Sequence, residues 1–255
     1  MWYNKMEGTE FTRRVAMKIY DISQEVFNCA VYPGDPSPQR EIKMSMNDGA
    51  VCNLTALSMC AHNGTHVDAP YHFINDGKTI DQVSLEKFVG NCYVAEHEGV
   101  VTAEDAEKIL QRAGGFNQIS NRNEKHAIHH LLGGEAAGSI QEEEKKQVSK
   151  ACFINNSMDA AKRILIKGKA EVSAEAARVF AETGVWLIGN ESQTVGPENA
   201  PMEVHLILLG AEVVLLEGIR LAEVPEGVYL LNAAPLNLGG TDGAPCRAIL
   251  LDMKE

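Results

Sequence analysis

Between residues 61 and 73 the chain reads Ala61-His62-Asn63-Gly64-Thr65-His66-Val67-Asp68-Ala69-Pro70-Tyr71-His72-Phe73, with three histidines and a carboxylate close together. Imidazole nitrogens and carboxylate oxygens are the ordinary ligands of zinc and related divalent ions. Gly64 weakens a helix and Pro70 has no amide proton to give, so an extended chain is expected here. In an extended chain His62, Gly64, His66, Asp68, Pro70 and His72 share one face. His66 and Asp68 are then about 6–7 Å apart along the backbone, close enough to share one ion. His62 would lie about 13 Å from His66 in a straight chain, which is too far. Asn63-Gly64 is a strong turn dipeptide, and a bend there brings His62 back toward the same ion. His72, beyond the proline, is better placed as a neighbouring acid/base than as a third histidine ligand, because imidazole exchanges protons near neutral pH.

The run His62-x-x-x-His66-x-Asp68-x-Pro70-x-His72 closely resembles the signature of the metal-dependent cyclase-like hydrolases, a family that includes the bacterial kynurenine formamidases (arylformamidases). Further segments carry the resemblance. Tyr20-Asp21-Ile22-Ser23 and Tyr32-Pro33-Gly34-Asp35 are similar to the family's opening strand and substrate-side loop. His205 and Glu217 stand in a context similar to that of its remote metal ligands. The segment from Ala234 through Asp242 to Ala248 is similar to its closing strand and loop. Together the similarity spans about residues 17–112 and 160–253.

The resemblance implies a metal-dependent amide hydrolase acting on a small molecule. His62, His66, Asp68, His205 and Glu217 would be ligands to one or two divalent ions, zinc or manganese, with cobalt also suited to the set. With Asp68 and Glu217 bridging and His205 on the second ion, two ions roughly 3.5–4 Å apart would fit. Water activated by the metal would attack the carbonyl carbon of a formamide, and His72 would shuttle a proton to the leaving amine. N-formyl-L-kynurenine is the leading substrate, hydrolysed to kynurenine and formate. Tyr32 would stack on its aryl ring, at a position where the kynurenine formamidases carry tryptophan. The loop 191–197 also departs from the formamidase pattern. A cyclic amide or lactone on the same site is therefore the alternative. A protein that only binds metal or a small molecule is a further alternative, and His72 argues against it because binding needs no proton shuttle. On their own residues His205 reads as an ordinary core or surface histidine, and Glu217 as a solvated carboxylate at a strand end.

No G-x-S-x-G occurs, so nothing points to a serine nucleophile. The net charge is −12, with 35 acidic against 23 basic residues. That balance argues against nucleic acid and anionic membrane surfaces as partners. The six cysteines form no C-x-x-C pair and read as reduced thiols. Cys60 lies beside the motif, but the histidine and carboxylate set suffices without it. Residues 1–14 lack a signal-peptide core, and the longest apolar stretch, 204–216, is too short to span a bilayer, so a cytoplasmic protein is expected.

These side chains need a scaffold. Strands are expected at 18–22, 40–46, 51–60, 92–95, 163–167, 185–188 and 213–216. Thr102-Ala103-Glu104-Asp105 has the pattern of a helix start that Gly114-Gly115 would stop, and Ser173 opens a helix ending near Gly184. Asn199-Ala200-Pro201 reads as the start of a helix that carries His205 and stops at Gly210. The strand after it delivers Glu217 at its end, so helix and strand can aim one side chain each at one point. Residues 116–159 read as a polar insertion in which His126, His129 and His130 sit on a solvated helix without an acidic partner. Residues 1–16 read as an N-terminal extension and 17–255 as one domain. The resemblance implies an α/β fold of swivelling β/α/β type with a mixed sheet or barrel-like core, assembled as a homodimer or homotetramer.

Overall fold

The computed structural model describes residues 17–114 and 160–252. The N-terminal extension 1–16 and the insertion 116–159, with His126, His129 and His130, lie outside the described residues. The strands are β1 (Lys18–Asp21), β2 (Gln39–Met44), β3 (Leu54–Ser58), β4 (His66–Asp68), β5 (Val89–Glu96), β6 (Gly99–Val101) and β7 (Arg163–Lys167). They continue with β8 (Ala170–Val172), β9 (Leu187–Asn190), β10 (Val214–Glu217), β11 (Gly227–Asn232), β12 (Gly243–Pro245) and β13 (Ile249–Asp252). The helices are α1 (103–114), α2 (Ala174–Glu182) and α3 (Met202–Gly210).

One nine-stranded sheet runs in the order β1-β13-β11-β5-β7-β9-β10-β4-β12. Its centre, β5-β7-β9-β10, is parallel, and antiparallel strands flank it on both sides. The sheet curls into a half-barrel within a single mixed α/β domain. Parallel strands buried on both faces read as nearly continuous apolar runs, and β7 and β10 do.

The two-residue period sorts those runs into two cores. Tyr93, Ala95, Ile164, Ile166, Ile188 and Leu215 face the helices, packing with Ile109, Phe180 and Leu208. Cys92, Val94, Leu165, Leu187, Val214 and Leu216 face the other way and pack with Val67, Phe88, Leu231 and Leu250. With Val67 on that second side, His66 and Asp68 are turned to the first. Glu217, two residues after Leu215, joins them. That face is the one α3 covers.

Strand β7 falls where the sequence places it. Thr102 and Asp105 exchange hydrogen bonds at the start of α1, and Ser173 caps α2 by accepting from the Ala176 amide at 3.1 Å. Helix α3 is capped at Pro201 itself, not at Asn199. The strand expected at 185–188 is displaced to β9 because Gly184 and Val185 still close the preceding helix, with the Val185 amide bonded to the Phe180 carbonyl. Strand β2 stops at Met44, since Met46–Asp48 forms a 3-10 turn ending at Gly49 in the left-handed region (φ 87°). No helix among the described residues is long and apolar enough to cross a membrane.

Candidate metal centre

The motif is not extended throughout. Only His66–Asp68 is strand, His62 lies in the turn before it, and His72 ends the 3-10 turn Pro70–His72. Gly64 makes the first break. It adopts φ 70°, a conformation that favours glycine, so the chain doubles back before β4. Pro70 makes the second by opening the 3-10 turn, where its missing amide proton costs nothing. The bend at Asn63-Gly64 therefore does what its sequence promises, while the single extended face from His62 to His72 gives way to two turns around a short strand.

Pairing of β4 with β10 sets Glu217 opposite His66 and Leu215 opposite Asp68. Helix α3 adds His205 from above. The Nε2 of His66 stands 3.4 Å from Asp68 Oδ1 and 3.5 Å from Glu217 Oε2. The Nε2 of His205 stands 3.6 Å from Asp68 Oδ2 and 3.4 Å from Glu217 Oε1. All four side chains are buried. Each histidine is oriented from behind: His66 Nδ1 is 3.0 Å from the Gly64 carbonyl and His205 Nδ1 is 2.9 Å from the Pro201 carbonyl. A ring that donates through Nδ1 presents a bare Nε2 lone pair, the form a metal binds. Ligands about 2.0–2.1 Å from a tetrahedral ion are separated by about 3.3–3.4 Å, close to the spacing of these N and O atoms. The donor set thus fits a divalent ion. Glu217 is steadied by the Val195 amide, which donates to Oε1 at 2.8 Å. The loop 191–197 therefore supports the site from behind.

His62 comes back to this cluster with Nδ1 2.9 Å from Asp68 Oδ1. Its Nε2 meets Asp242 Oδ2 at 2.8 Å, and the same oxygen meets His72 Nδ1 at 3.1 Å. The His62 and His72 rings stack at 4.1 Å. Sequence reasoning missed Asp242, although its segment had been singled out. An aspartate in Gly240-Thr241-Asp242-Gly243 carries the signal of a turn and nothing more. Tyr32 lies in the loop before the Pro33–Gly34 turn, its hydroxyl donating to the Glu198 carbonyl at 3.2 Å. That bond ties it to the segment leading into α3. Cys60 points toward Asp35 instead of the metal groups, with Sγ 3.8 Å from Oδ2. The described cysteines are all free thiols.

The electrostatics are those of buried acids and bases packed together. Burial alone would push His62 down, but the charge of Asp68 and the bond to Asp242 outweigh it and raise the imidazole to about 11. His66 is likewise lowered by burial, then raised to about 9 by Asp68 and Glu217. His205 is shifted upward, burial being overcome by its bond to Glu217. Burial would raise Asp68, yet His62 and His66 hold it well below the usual carboxylate range. Hydrogen bonds from His62 and His72 lower Asp242 against its partial burial. Without an ion, these protons are what balances the carboxylates.

A family model described as putative cyclase matches residues 20–197. The chain belongs to this cyclase family. Among its relatives is the kynurenine formamidase of Salinibacter ruber, 30% identical over 242 residues that cover 94% of this chain and 100% of that one. The kynurenine formamidase of Erythrobacter litoralis is 27% identical over 240 residues, covering 93% and 95%. A solved structure described as a potential metal-dependent hydrolase with cyclase activity superposes with a TM-score of 0.63 at 26% identity, covering 94% of this chain and 100% of that one. Isatin hydrolase A from Labrenzia aggregata shares the fold at a TM-score of 0.65 and 19% identity, covering 93% and 94%. The half-barrel sheet with few helices is thus the fold of the cyclase family, and the buried cluster lies on the helix-covered face of that sheet.

Proposed function

We propose that this cyclase-family hydrolase cleaves N-formyl-L-kynurenine to kynurenine and formate, using one or two divalent ions, zinc or manganese, held by His62, His66, Asp68, His205 and Glu217. The observation that carries the reading is the pair of imidazole Nε2 atoms, on His66 and His205, each 3.4–3.6 Å from both buried carboxylates. The kynurenine formamidase relatives, 27–30% identical along nearly the whole chain, support a formamide as the substrate.

When bound, the ion supplies an acidified water and positive charge for a developing oxyanion. Asp68 reaches His62, His66 and His205, and Glu217 reaches His66 and His205, so these two carboxylates would hold the ion or ions together with the three imidazoles. His72 accepts a proton from the attacking water through the nitrogen that Asp242 leaves open, and returns it to the departing aryl amine. A C–O bond forms from water as the formyl C–N bond breaks, so the products are formate and the free amine. Tyr32, steadied by Glu198, offers the aryl group a stacking face. We also read the protein as a homodimer or homotetramer. Support comes from the β2–β3 ribbon, which among the described residues pairs only with itself and exposes Ile42, Leu54 and Leu57.

Tyrosine at position 32 favours a second substrate class, cyclic amides and lactones, because it changes the pocket's size and adds a hydroxyl. Comparing formate release from N-formyl-L-kynurenine with ring opening of a cyclic amide and a lactone decides between them. Formate release is expected to be fastest, and His72→Ala to lower its kcat by ~10²–10⁴-fold with the ion retained. Faster ring opening would move the assignment to the second class. Absence of turnover on all three with the ion bound would leave only a binding protein.

A further inference from the structure

We propose that Asp242 is a positioning residue that sets the proton shuttle and a metal ligand together through one carboxylate oxygen. Its Oδ2 receives His72 Nδ1 at 3.1 Å and His62 Nε2 at 2.8 Å. The two imidazoles lie stacked at 4.1 Å with 28° between their planes. This assignment rests on the metal-hydrolase reading of the site and adds to it a residue that acts through the His62 and His72 imidazoles.

The backbone around Asp242 is built to hold that oxygen still. Its carbonyl accepts from the Ala69 amide at 2.9 Å, and the neighbouring Thr241 carbonyl accepts from the Ile80 amide at 2.9 Å. The Gly240 amide donates to Asp81 Oδ1 at 2.9 Å. Strand β12 then pairs with β4, placing Gly243 opposite Asp68. Asp242 is thereby fixed to the segment that carries His62, His66, Asp68 and His72 and to the turn Ile80–Gln82. Gly243 supplies independent support, because a Cβ there would lie 2.9 Å from His62 Cε1 and 2.8 Å from the Val67 carbonyl. Only a residue without a side chain leaves the His62 ring room to lie against β12 and reach Asp242.

Two consequences follow from shared use of one oxygen. With Nδ1 committed to Asp242, His72 keeps Nε2 for proton exchange. With Nε2 committed to the same atom, His62 turns Nδ1 to Asp68 and the ion, the carboxylate–histidine–metal arrangement that fixes ring orientation and raises ligand basicity. A change at Asp242 should therefore disturb both proton transfer and hold on the ion.

The test uses the metal-loaded enzyme acting on an aryl formamide, with Asp242→Ala and Asp242→Asn. Asp242→Ala is expected to lower kcat by ~10–100-fold while KM stays near the wild-type value, and to lose manganese or zinc to a competing chelator more readily. Asp242→Asn keeps an acceptor oxygen at the same reach and should recover part of both losses. Wild-type kcat and wild-type chelator resistance in Asp242→Ala would overturn the assignment. So would a fall in kcat matched by a lowered Tm that Asp242→Asn does nothing to relieve. If the wild type binds metal but turns over no amide, the hydrolase reading fails while chelator competition still decides Asp242. A wild type that binds no ion overturns both.

Discussion

Asp68 lies buried beneath three imidazoles, with His62, His66 and His205 all within 3.6 Å of its two oxygens. An isolated buried carboxylate is costly, so the charge must be matched by protons or by a cation. In the metal-free chain protons do this, since His62 is raised to about 11 and His66 to about 9, both above the ordinary 6.5. A raised folded-state value stabilises the metal-free fold fully below pH 6.5 and loses that contribution as pH climbs through 9 and toward 11. An incoming ion has to displace the same protons. Metal uptake near neutral pH should therefore release protons, and affinity should tighten as pH rises toward 9. Calorimetry in buffers of different ionisation enthalpy measures the number released; uptake with no proton release and no pH dependence would contradict this electrostatic picture. At this scale the sequence was readable where candidate groups crowd one short run, as His62, His66, Asp68 and His72 do. It was unreadable at Asp242, which lies 170 residues from His72 and meets it only through strand pairing.

Strands β4 and β10 are short, but their register decides the chemistry, because a slip of one residue would turn His66, Asp68 and Glu217 to the opposite face. What pins the neighbouring strands is in part a buried guanidinium. Arg163, fully buried at the start of β7, donates to the Lys87 and Asn91 carbonyls at 3.1 Å each and to the Glu86 carbonyl, with its guanidinium over the Trp186 ring. Arg163→Ala strands three carbonyls and opens a cavity, so a loss of roughly 3–5 kcal/mol is expected. Thermal unfolding should show it as a Tm lower by roughly 6–20 °C, and an unchanged Tm would mean the clamp is not structural. Strand β7 and helices α2 and α3 were legible because apolar runs, capping serine and proline mark them locally. Strands β11 and β13 were not read as strands, since their ends are fixed by partners far along the chain. The second break in residues 62–72, the 3-10 turn at Pro70–His72, was equally hidden. Period-two spacing allows one face, and the tertiary pairing of only three of those residues overrides it.

For the whole molecule, the ribbon of β2 and β3 stands outside the nine-stranded sheet. Ile42 pairs across to Thr55 and Arg40 to Leu57, which sets Ile42 and Leu57 on one face of the ribbon, 72% and 64% exposed. A lone two-stranded ribbon is marginal in water, and a second copy of the chain would cover this face. Sedimentation of an Ile42→Glu, Leu57→Glu variant should show a shift toward monomer, and an unshifted assembly would place the interface elsewhere. The fold itself, a mixed sheet with the site under α3, agrees with what the motif order implied, while the bond from Tyr32 to the Glu198 carbonyl had no signal in the sequence. The central claim is that the cluster of His62, His66, Asp68, His205 and Glu217 holds the ion on which hydrolysis depends. Stripping the protein with a chelator and titrating manganese or zinc back, while bound metal and formate release from N-formyl-L-kynurenine are followed together, tests it most directly. Activity should vanish on stripping and return in proportion to bound ion, saturating at one or two per chain in the wild type and failing to return in Asp68→Ala. Full turnover by the stripped protein, or undiminished turnover in Asp68→Ala, would contradict it.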